Sequence, residues 1–364
     1  MNQEAEQTPE AGDPVQEARE IYQAKKVSVI IASYNHRDFV GEAVMSVLNQ
    51  DVNNTEVIIV DDGSNDKTPD EIEKIKDPRL KLVRLKENRK EHPRNMGLSM
   101  ARGKYIAFQN SDDVWAEGKL TKQLDYLQSH PEVTACFTDV QIIDEFGKPK
   151  RNLLANYQFL GKNKDSNSWL RYFFDLGNCL CISSVLIRKE KIDKLGGFTP
   201  NLFRAADLDL WVRLAVLGEF HVIKEKLTMM RIIKDKNFSR PSPEAKNCSY
   251  MELADIYDNY AKEPILKRLP NIFKDIIPVG SSDTEKLGYL ALYSWELSAP
   301  HIFFANKIMG KIINHKKKRK ELTDKFGAEI IKKYLKKRSA IELNLNKSKS
   351  VSNLLQKFVR RLWQ

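Results

Sequence analysis

Three short acidic clusters hold the side chains of this sequence that could do chemistry. They are Asp61-Asp62, Asp112-Asp113 and Asp207-x-Asp209. The first two directly follow apolar runs of strand length, and carboxylates at the carboxyl ends of parallel strands lie where open α/β sheets bind ligands. If one crevice gathers the three clusters, they could hold a nucleobase, a divalent cation and a proton acceptor. A site with these three functions could catalyse group transfer from a nucleotide-activated donor.

Predicted strands and helices alternate along the N-terminal part of the chain. Apolar, β-branched runs of strand length occur at 27–32, 56–60, 80–85, 104–108 and 133–138. Helical patterns lie between them, including 93–100, which has Pro93 at its first turn, and 115–129. This alternation predicts an α/β fold with a mostly parallel, Rossmann-like sheet and helices on both faces.

The pattern then changes and becomes helical. A strand is predicted at 182–187 and a helix at 207–217, and 283–314 resembles a helical hairpin. We therefore divide the chain into four segments. They are a polar, disordered leader at 1–25, the domain that would do the chemistry at 26–240, a helical accessory region at 241–340 and a basic amphipathic C-terminal helix at 341–364.

Positive charge is concentrated at the C-terminal end. The chain carries a net +11, and residues 311–364 hold 17 Lys and Arg against 4 Asp and Glu, so the remainder is close to neutral. This distribution argues against nucleic-acid binding by the near-neutral main part of the protein, and it favours binding of the basic C-terminal tail to an anionic surface. Apolar residues at helical spacing between 351 and 363, with cations among them, suit an anionic membrane. A solvated helix, or one docked on the body or another subunit, is the alternative.

Several classes of protein are disfavoured by what the sequence lacks. The four cysteines have no zinc-type spacing, so buried thiols in a reducing cytosol are expected. The acidic, polar N-terminus is unlike a signal peptide, and no stretch reaches the roughly 18 apolar residues of a membrane span. There is no Gly-x-Gly-x-x-Gly pattern, which argues against a dehydrogenase.

Six motifs resemble, in order and spacing, the inverting family 2 glycosyltransferases of the GT-A fold. They are VSVIIASYN, EVIIVDDGSNDKT, HPRNMG, GKYIAFQNSDD, GGF and DLDLWVRL, and the resemblance covers residues 26–240. It implies a GT-A nucleotide-diphospho-sugar transferase fold with a C-terminal helical extension. It also implies a hexosyltransferase-type enzyme of bacterial surface-polysaccharide synthesis.

The resemblance implies residues for a uridine-diphosphate donor. The end of the first strand, with Ala32 and Tyr34, would line the uracil pocket, and the Asp62 carboxylate would accept a hydrogen bond from uracil N3–H. Arg94 would bind the diphosphate, because a guanidinium is a forked, permanently charged donor. Asp61 is expected to cap the following turn. The structural alternatives are a packed strand end for Tyr34, an Asx-turn for Asp62 and a surface position for Arg94.

Residues 110–113 read Asn-Ser-Asp-Asp where the family usually has Asp-x-Asp-Asp. The resemblance implies that Asn110, Ser111 and Asp112 contact the donor. It further implies that Asp112 and Asp113 hold Mg²⁺ or Mn²⁺, which would neutralise charge on the departing UDP. Asn110 adds no charge, which leaves the affinity and identity of the metal open. Two adjacent acids that cap a helix are the simpler alternative.

Asp207 matches the general base of the family, which would deprotonate an acceptor hydroxyl on the face opposite UDP. Two departures from the family pattern accompany it. The usual preceding Glu is Ala206, and a His that family members often place further along is Ile233. Asp209 is expected to be structural and to pair with Arg213 one turn later.

Together these features predict transfer of a sugar from a nucleotide donor, in the first instance a UDP-sugar, to a hydroxyl of a growing or lipid-linked glycan, with inversion. The protein would be cytoplasmic and peripheral on the inner membrane, held by its basic tail, with no nucleic-acid partner. Two alternatives stay open. One is a catalytically weak nucleotide-sugar-binding regulator, given Asn110, Ala206 and Ile233. The other is a membrane-attached assembly subunit of a polysaccharide machinery.

Overall fold

One eight-stranded sheet organises the protein, and the computed structural model describes residues 27–52, 54–88, 92–150, 162–233 and 243–347. The strands are β1 (Val27–Ser33), β2 (Thr55–Asp61), β3 (Leu80–Arg84), β4 (Tyr105–Asn110), β5 (Val114–Trp115), β6 (Val133–Ile143), β7 (Leu186–Arg188) and β8 (Glu219–Arg231). Their order across the sheet is β3-β2-β1-β4-β7-β6-β8-β5. Four of the seven neighbouring pairs are parallel, so the predicted mostly parallel α/β sheet is confirmed.

The register of the central strands brings three strand ends together. β1 pairs in parallel with β2 on one side and with β4 on the other, so Ser33 lies beside Asp61 and Ala32 lies beside Asn110. β1, β2 and β4 are buried along almost their whole length, which explains their unbroken apolar runs. The carboxyl ends of β1, β2 and β4 therefore meet at one edge of the sheet.

Helices cover the sheet and make up the C-terminal part of the described chain. They are α1 (Val40–Leu48), α2 (Thr68–Glu73), α3 (Pro93–Met100), α4 (Lys119–Ser129), α5 (Ser166–Leu176), α6 (Lys189–Leu195), α7 (Ala206–Leu214), α8 (Pro243–Tyr257), α9 (Ile265–Ile272), α10 (Asp283–Ser294), α11 (Ala299–Ile313), α12 (Lys316–Phe326) and α13 (Glu329–Lys347). The helix predicted at 93–100 is α3, and the predicted hairpin at 283–314 is α10 with α11. α10 begins with a capping box between Ser282 and Glu285.

The strand predicted at 182–187 is only partly correct. Ile182–Ser184 form a 3₁₀ turn, and β7 begins at Leu186. Serine hydroxyls explain the difference, because they offer the backbone an alternative to strand pairing. The Ser184 hydroxyl donates to the carbonyl of Cys181 at 2.8 Å, and the Ser183 hydroxyl donates to a buried carboxylate at 2.5 Å. The helix predicted from residue 115 is preceded by β5 and begins at Lys119.

A single hydrophobic core joins one face of the sheet to the accessory helices. Trp169 and Phe174 of α5 are fully buried in it. The Phe174 ring makes edge contacts with Tyr260, Phe273 and Phe304, which follow β8 in the chain. A second core on the opposite face of the sheet is built with α1 and α4. The boundary predicted at residue 240 separates strands from helices along the chain, but the first core crosses it.

Both predicted terminal segments fall wholly or largely outside the described residues. The leader at 1–25 lies before the first of them. The C-terminal helix predicted at 341–364 overlaps α13 as far as Lys347, and the rest lies beyond the last described residue. Within the described ranges, no helix combines the length and the apolar character that crossing a bilayer requires.

Replacement of Gly97 should show how closely α3 packs on β1. A Cβ atom at Gly97 would lie 2.4 Å from Cγ2 of Ile30, which is fully buried. Gly97→Ala should therefore lower the free energy of unfolding by about 1–3 kcal/mol through overpacking. Gly41→Ala in α1 is the matched control, because no atom lies within 4 Å of its added Cβ. That variant should gain about 0.5–1 kcal/mol from helix propensity. Denaturant unfolding of both variants measures the difference, and equal effects would contradict the packing.

Candidate active site

A cleft of about 440 Å³ lies at the carboxyl ends of β1, β2 and β4 and reaches the first turn of α7. All the residues that the sequence predicted as donor-binding or as general base line it, namely Ala32, Tyr34, Asp62, Arg94, Asn110, Ser111, Asp112 and Asp207. Asp113, predicted as a metal ligand together with Asp112, is not among the lining residues. The volume is within the range of about 300–1,000 Å³ that is usual for ligand pockets.

Three cleft residues have a buried polar atom with no hydrogen-bond partner among the described residues. The atoms are Ser33 Oγ, His92 Nδ1 and Arg94 Nε. Buried polar atoms are nearly always paired, because an unpaired one costs about 1–3 kcal/mol. Unpaired atoms on the wall of a cleft are therefore available to hydrogen-bond a polar ligand.

At one end of the cleft, a network of hydrogen bonds holds the Asp62 carboxylate. The Asn88 Nδ2 atom donates to both the carbonyl and Oδ2 of Asp62, each at 3.0 Å. Asp61 instead accepts from the backbone N–H and the hydroxyl of Ser64, at 3.0 and 2.5 Å, so its predicted role in the turn is confirmed. Gly63 has a φ of 71°, in the left-handed region that favours glycine. The turn therefore directs Asp62, and not Asp61, to the cleft.

The side chain of Asn110 bridges a cation and an acid. Its Oδ1 accepts from Arg94 Nη2 at 2.8 Å, and its Nδ2 donates to Asp113 Oδ2 at 3.0 Å. Burial lowers the pKa of Arg94, and the negative charges of Asp207 and Asp113 oppose that shift. An amide fits this position because it supplies an acceptor on one side and a donor on the other.

Asp113 is buried behind the cleft with both carboxylate oxygens occupied. Oδ2 also accepts from the hydroxyl of Ser183 at 2.5 Å, and Oδ1 accepts from the backbone N–H of Arg231 at 2.9 Å. Burial raises the pKa of Asp113, and the charge of Asp112 raises it further. Burial also raises the pKa of Asp112, and the positive charge of Arg231 partly opposes that shift. Among the described residues, no group of three or more His, Cys, Asp and Glu side chains is arranged to hold a metal ion.

Arg231 fixes the backbone that carries Asp112. Its side chain is 1% exposed, and Nε donates to the carbonyl of Asp112 at 2.8 Å. Nη1 donates to the carbonyls of Asp144 and Glu145 at 3.2 and 3.0 Å, and Nη2 pairs with Glu42 at 2.5 Å. The guanidinium thus ties the loop after β4 to the loop after β6. Ile233, where the family often has His, is buried.

Asp207 lies in the first turn of α7, where the helix dipole favours a negative charge. Its Oδ2 accepts from Asn178 Nδ2 at 2.7 Å, and its Oδ1 accepts from the backbone N–H of Leu208 at 2.8 Å. Burial raises the pKa of Asp207, and the Leu208 hydrogen bond and the charge of Arg94 oppose that shift. Two residues later, Asp209 pairs with Arg213 at 2.7 Å, as predicted. The geometry therefore presents one carboxylate to the cleft and uses the next one to hold the helix.

An aromatic stack forms part of the cleft wall. The His92 ring stacks on Phe198 and Phe203, with centroids 4.8 and 6.1 Å away. Burial lowers the pKa of His92 to about 3, with a smaller contribution from Arg94, so the imidazole is neutral at physiological pH. A neutral ring with an unpaired nitrogen can hydrogen-bond a ligand without adding charge.

Sequence reasoning missed several residues that support the site. They are Asn88, His92, Asn178, Ser183 and Glu252, and each is a polar residue that contacts a residue far away in the chain, His92 through its ring stack on Phe198. A signal was available only for His92, which directly precedes the Pro93-Arg94 motif. The others carry no local pattern that marks them.

The fold and the cleft define an α/β protein with a polar cleft at the carboxyl ends of its strands, and comparison with known proteins gives the family. The family model described as "Glycosyl transferase family 2" matches residues 28–191. The putative teichuronic acid biosynthesis glycosyltransferase TuaG of Bacillus subtilis is 32% identical over 260 residues, which cover 67% of this chain and 97% of TuaG. The chain belongs to glycosyltransferase family 2, which confirms the predicted family and hexosyltransferase-type enzyme class.

Two further proteins extend the comparison. WfaP of Escherichia coli, a UDP-Glc:alpha-D-GlcNAc-diphosphoundecaprenol beta-1,3-glucosyltransferase, is 42% identical over 106 residues, which cover 28% of this chain and 41% of WfaP. Residues 1–349 of TarS from S. aureus, in a crystal structure with UDP-GlcNAc, align with a TM-score of 0.52 and 18% identity over 79% of this chain and 80% of that one. The TarS alignment supports the predicted fold.

Removal of the Arg231 guanidinium should destabilise the protein strongly. Arg231→Met would leave three backbone carbonyls without their donor, so the free energy of unfolding should fall by about 3 kcal/mol or more. Glu42→Gln is the control, because that carboxylate is 56% exposed and its pair with Arg231 should contribute at most about 1 kcal/mol. Denaturant unfolding measures both losses. A small loss for Arg231→Met would mean that the guanidinium does not hold the two loops.

Proposed function

We propose that the protein transfers a sugar from a UDP-sugar to a hydroxyl of a growing glycan with inversion at the anomeric carbon. The observation that carries the proposal is the cleft itself, because Asp62, Arg94, Asp112 and Asp207 line one cavity of about 440 Å³. A nucleotide sugar needs a base-recognising group, a diphosphate-binding cation and a proton acceptor within its own length. The similarity to WfaP, whose name specifies a UDP-sugar and a lipid-linked diphosphate acceptor, supports this class of donor and acceptor.

The donor would bind along the ends of the central strands. Asn88 orients the Asp62 carboxylate, which would accept the uracil N3–H and thereby select uracil over cytosine, which has no N–H there. Tyr34 is 42% exposed and lines the cleft together with Ala32, so its ring would stack on the base. The Arg94 guanidinium would bind the diphosphate.

The cleft offers carboxylate oxygens of the kind that bind a divalent cation together with a diphosphate. Mg²⁺ sites of this kind need only one or two carboxylates, since substrate phosphates complete the coordination. Asp112 would hold the ion, because its carboxylate lines the cleft. Asp113 would not bind the metal itself, because it does not line the cleft and both its oxygens accept hydrogen bonds. A bound Mg²⁺ or Mn²⁺ would stabilise negative charge on the leaving diphosphate.

Asp207 would act as the base in a single displacement. Its carboxylate accepts the proton of the acceptor hydroxyl while that oxygen forms the bond to the anomeric carbon. The bond from the anomeric carbon to the diphosphate oxygen breaks, and UDP leaves with the electron pair. Burial helps this role, because a raised pKa makes the carboxylate a stronger base. Transfer should therefore lose rate as the pH falls through the Asp207 pKa.

Replacement of the proposed base tests the function directly. Asp207→Asn keeps the shape of the side chain but cannot accept the proton, so transfer should fall by about 10²–10⁴-fold. Binding of the donor should persist, as measured by the thermal shift with UDP-sugars in the presence of Mn²⁺. Asp193→Asn, which removes a half-exposed carboxylate paired with Lys189, is the control and should transfer at the wild-type rate.

The outcomes of this test separate the proposed enzyme from the alternatives. A wild-type protein that binds a UDP-sugar but transfers nothing would favour the regulator. A wild-type protein stabilised by no nucleotide sugar would favour the assembly subunit. Transfer by Asp207→Asn at the wild-type rate would show that another group is the base.

A basic surface on α12 would bring the enzyme to the cytoplasmic face of an anionic membrane. We define it as Lys316, Lys317, Lys318, Arg319 and Lys320, all exposed and none in an ion pair with another described residue. The first turn of α12 has no acidic residue, so these cations lie at the helix end where positive charge is unfavourable. An anionic partner would offset that cost. The tail at 348–364 would add to the same attraction.

Charge removal from the basic surface should weaken membrane binding. The triple variant Lys316→Gln, Lys317→Gln and Lys320→Gln should lower the affinity for phosphatidylglycerol vesicles at least tenfold, at about 1 kcal/mol per cation. Lys262→Gln, Lys267→Gln and Lys274→Gln remove the same charge from exposed positions elsewhere and should have little effect. Vesicle co-sedimentation at low salt measures both, with a chain ending at Lys347 as a further arm. Equal losses in the two triple variants would refute a specific surface, and a loss only on truncation would assign binding to the tail.

A further inference from the structure

The strongest unassigned feature near the cleft is a carboxylate from the accessory region. Glu252 of α8 is 6% exposed. Its two oxygens accept from three consecutive backbone N–H groups, those of Phe203, Arg204 and Ala205, at 3.2, 2.9 and 2.7 Å. One side chain therefore accepts hydrogen bonds from all three backbone N–H groups of the segment 203–205, which leads into α7.

This segment is where the chain enters the active site. Phe203 and Arg204 line the cleft, and Ala205 is the N-cap residue of α7, whose first turn carries Asp207. An alanine at the N-cap has no side chain with which to accept from the first backbone N–H groups of a helix. Glu252, 47 positions further along the chain, instead accepts from the N–H of the N-cap residue itself and of the two residues before it.

Further contacts hold α8 and the turn after it against the same region. Arg204 Nε donates to Ser249 Oγ at 3.1 Å, one turn before Glu252. Asn259 Nδ2 donates to Asp209 Oδ1 at 3.2 Å, on α7 itself. Lys307 of α11 in turn pairs with Asp255 of α8 at 3.3 Å. The start of α7 is therefore attached to the accessory helices at two points, which limits its freedom to move relative to the strand ends.

We propose that Glu252 is a positioning residue for the transfer reaction, and that it holds residues 203–205 so that the Asp207 carboxylate is correctly placed for the acceptor hydroxyl. The proposal rests on the proposed role of Asp207 as base. It follows from the geometry, because the orientation of a side chain in the first turn of a helix depends on the backbone that starts that helix. A displacement of about 1 Å at a catalytic group can cost about 100-fold in rate.

A positioning role differs in its consequences from a cap that only stabilises the fold. Glu252 contacts the loop before Asp207, whereas Asp62 and Asn88, which would bind the base, belong to β2 and the loop after β3. Loss of the Glu252 carboxylate should therefore lower kcat and leave the affinity for UDP unchanged. A side chain that merely stabilises the fold would change neither parameter in the folded protein.

Glu252→Gln and Glu252→Ala test the proposal. Glu252→Gln keeps the shape but turns an N–H₂ donor toward backbone donors, and Glu252→Ala removes the contact. We expect kcat to fall about threefold to tenfold for Gln and more than tenfold for Ala, with UDP affinity within twofold of wild type. Glu263→Gln, which removes a half-exposed carboxylate of the accessory region that pairs with Lys267, is the control and should keep the wild-type kcat.

Hydrogen exchange gives a second measurement that does not depend on activity. The amides of residues 203–205 should exchange at least tenfold faster in Glu252→Gln than in the wild type, while those of β1 are unchanged. Unchanged exchange at 203–205 would overturn the proposal, as would faster exchange with an unchanged kcat, or a loss of UDP affinity that matches the loss of kcat. A wild-type protein without transferase activity would instead overturn the proposed function, and with it the catalytic part of this proposal. If Glu252→Ala does not fold, the same criteria apply to Glu252→Gln.

Discussion

The parallel pairing of β1 with β2 and β4 is the constraint on which the candidate active site depends. The Asp62 N–H donates to the carbonyl of Ser33 at 2.8 Å, which continues the ladder one residue past the end of β2. The position of Asp62 is therefore set by β1 and not by its own loop alone. In the same way, Asn110 ends β4 beside Ala32. Since successive side chains of a strand point to opposite faces, a slip by one residue in either pairing would turn the site residues away from the cleft.

Burial of charge explains why the acidic cluster after β4 departs from the family pattern. Around Asp113, an amide, a hydroxyl and a backbone N–H supply the donors, and Arg231 supplies positive charge beside Asp112. An aspartate at position 110 would place a third carboxylate 3.0 Å from Asp113, in a region where burial already raises the pKa of two neighbouring acids. Asn110 avoids that repulsion and still accepts from Arg94. The substitution therefore fits the network and is not in itself a sign of a decayed site.

The sequence was sufficient for those features that depend on local patterns. Apolar runs predicted the strands of the parallel half of the sheet, and residues directly after them, such as Asp62 and Asp112, could be assigned to the crevice. The Asp209–Arg213 pair followed from helix spacing. Asn178, Ser183 and Glu252 could not be found, because their partners Asp207, Asp113 and Ala205 lie 29, 70 and 47 residues away. Such pairs depend on how separate segments pack, and polar residues in irregular or helical segments carry no periodic signal of that packing.

The accessory helices are better understood as part of the structural unit that forms the cleft than as an appended module. Domain boundaries fall where few contacts cross, yet Phe174 of α5, which precedes residue 240, packs against the rings of Tyr260, Phe273 and Phe304, which follow it. Polar contacts cross the same boundary at Glu252 and Asn259. The family model, by contrast, ends at residue 191, before α7 and its Asp207. The end of the family-model match is therefore not a physical boundary. The start of α7 takes its backbone partners from α8, so the helices beyond the family match help to determine the shape of the cleft that the match identifies.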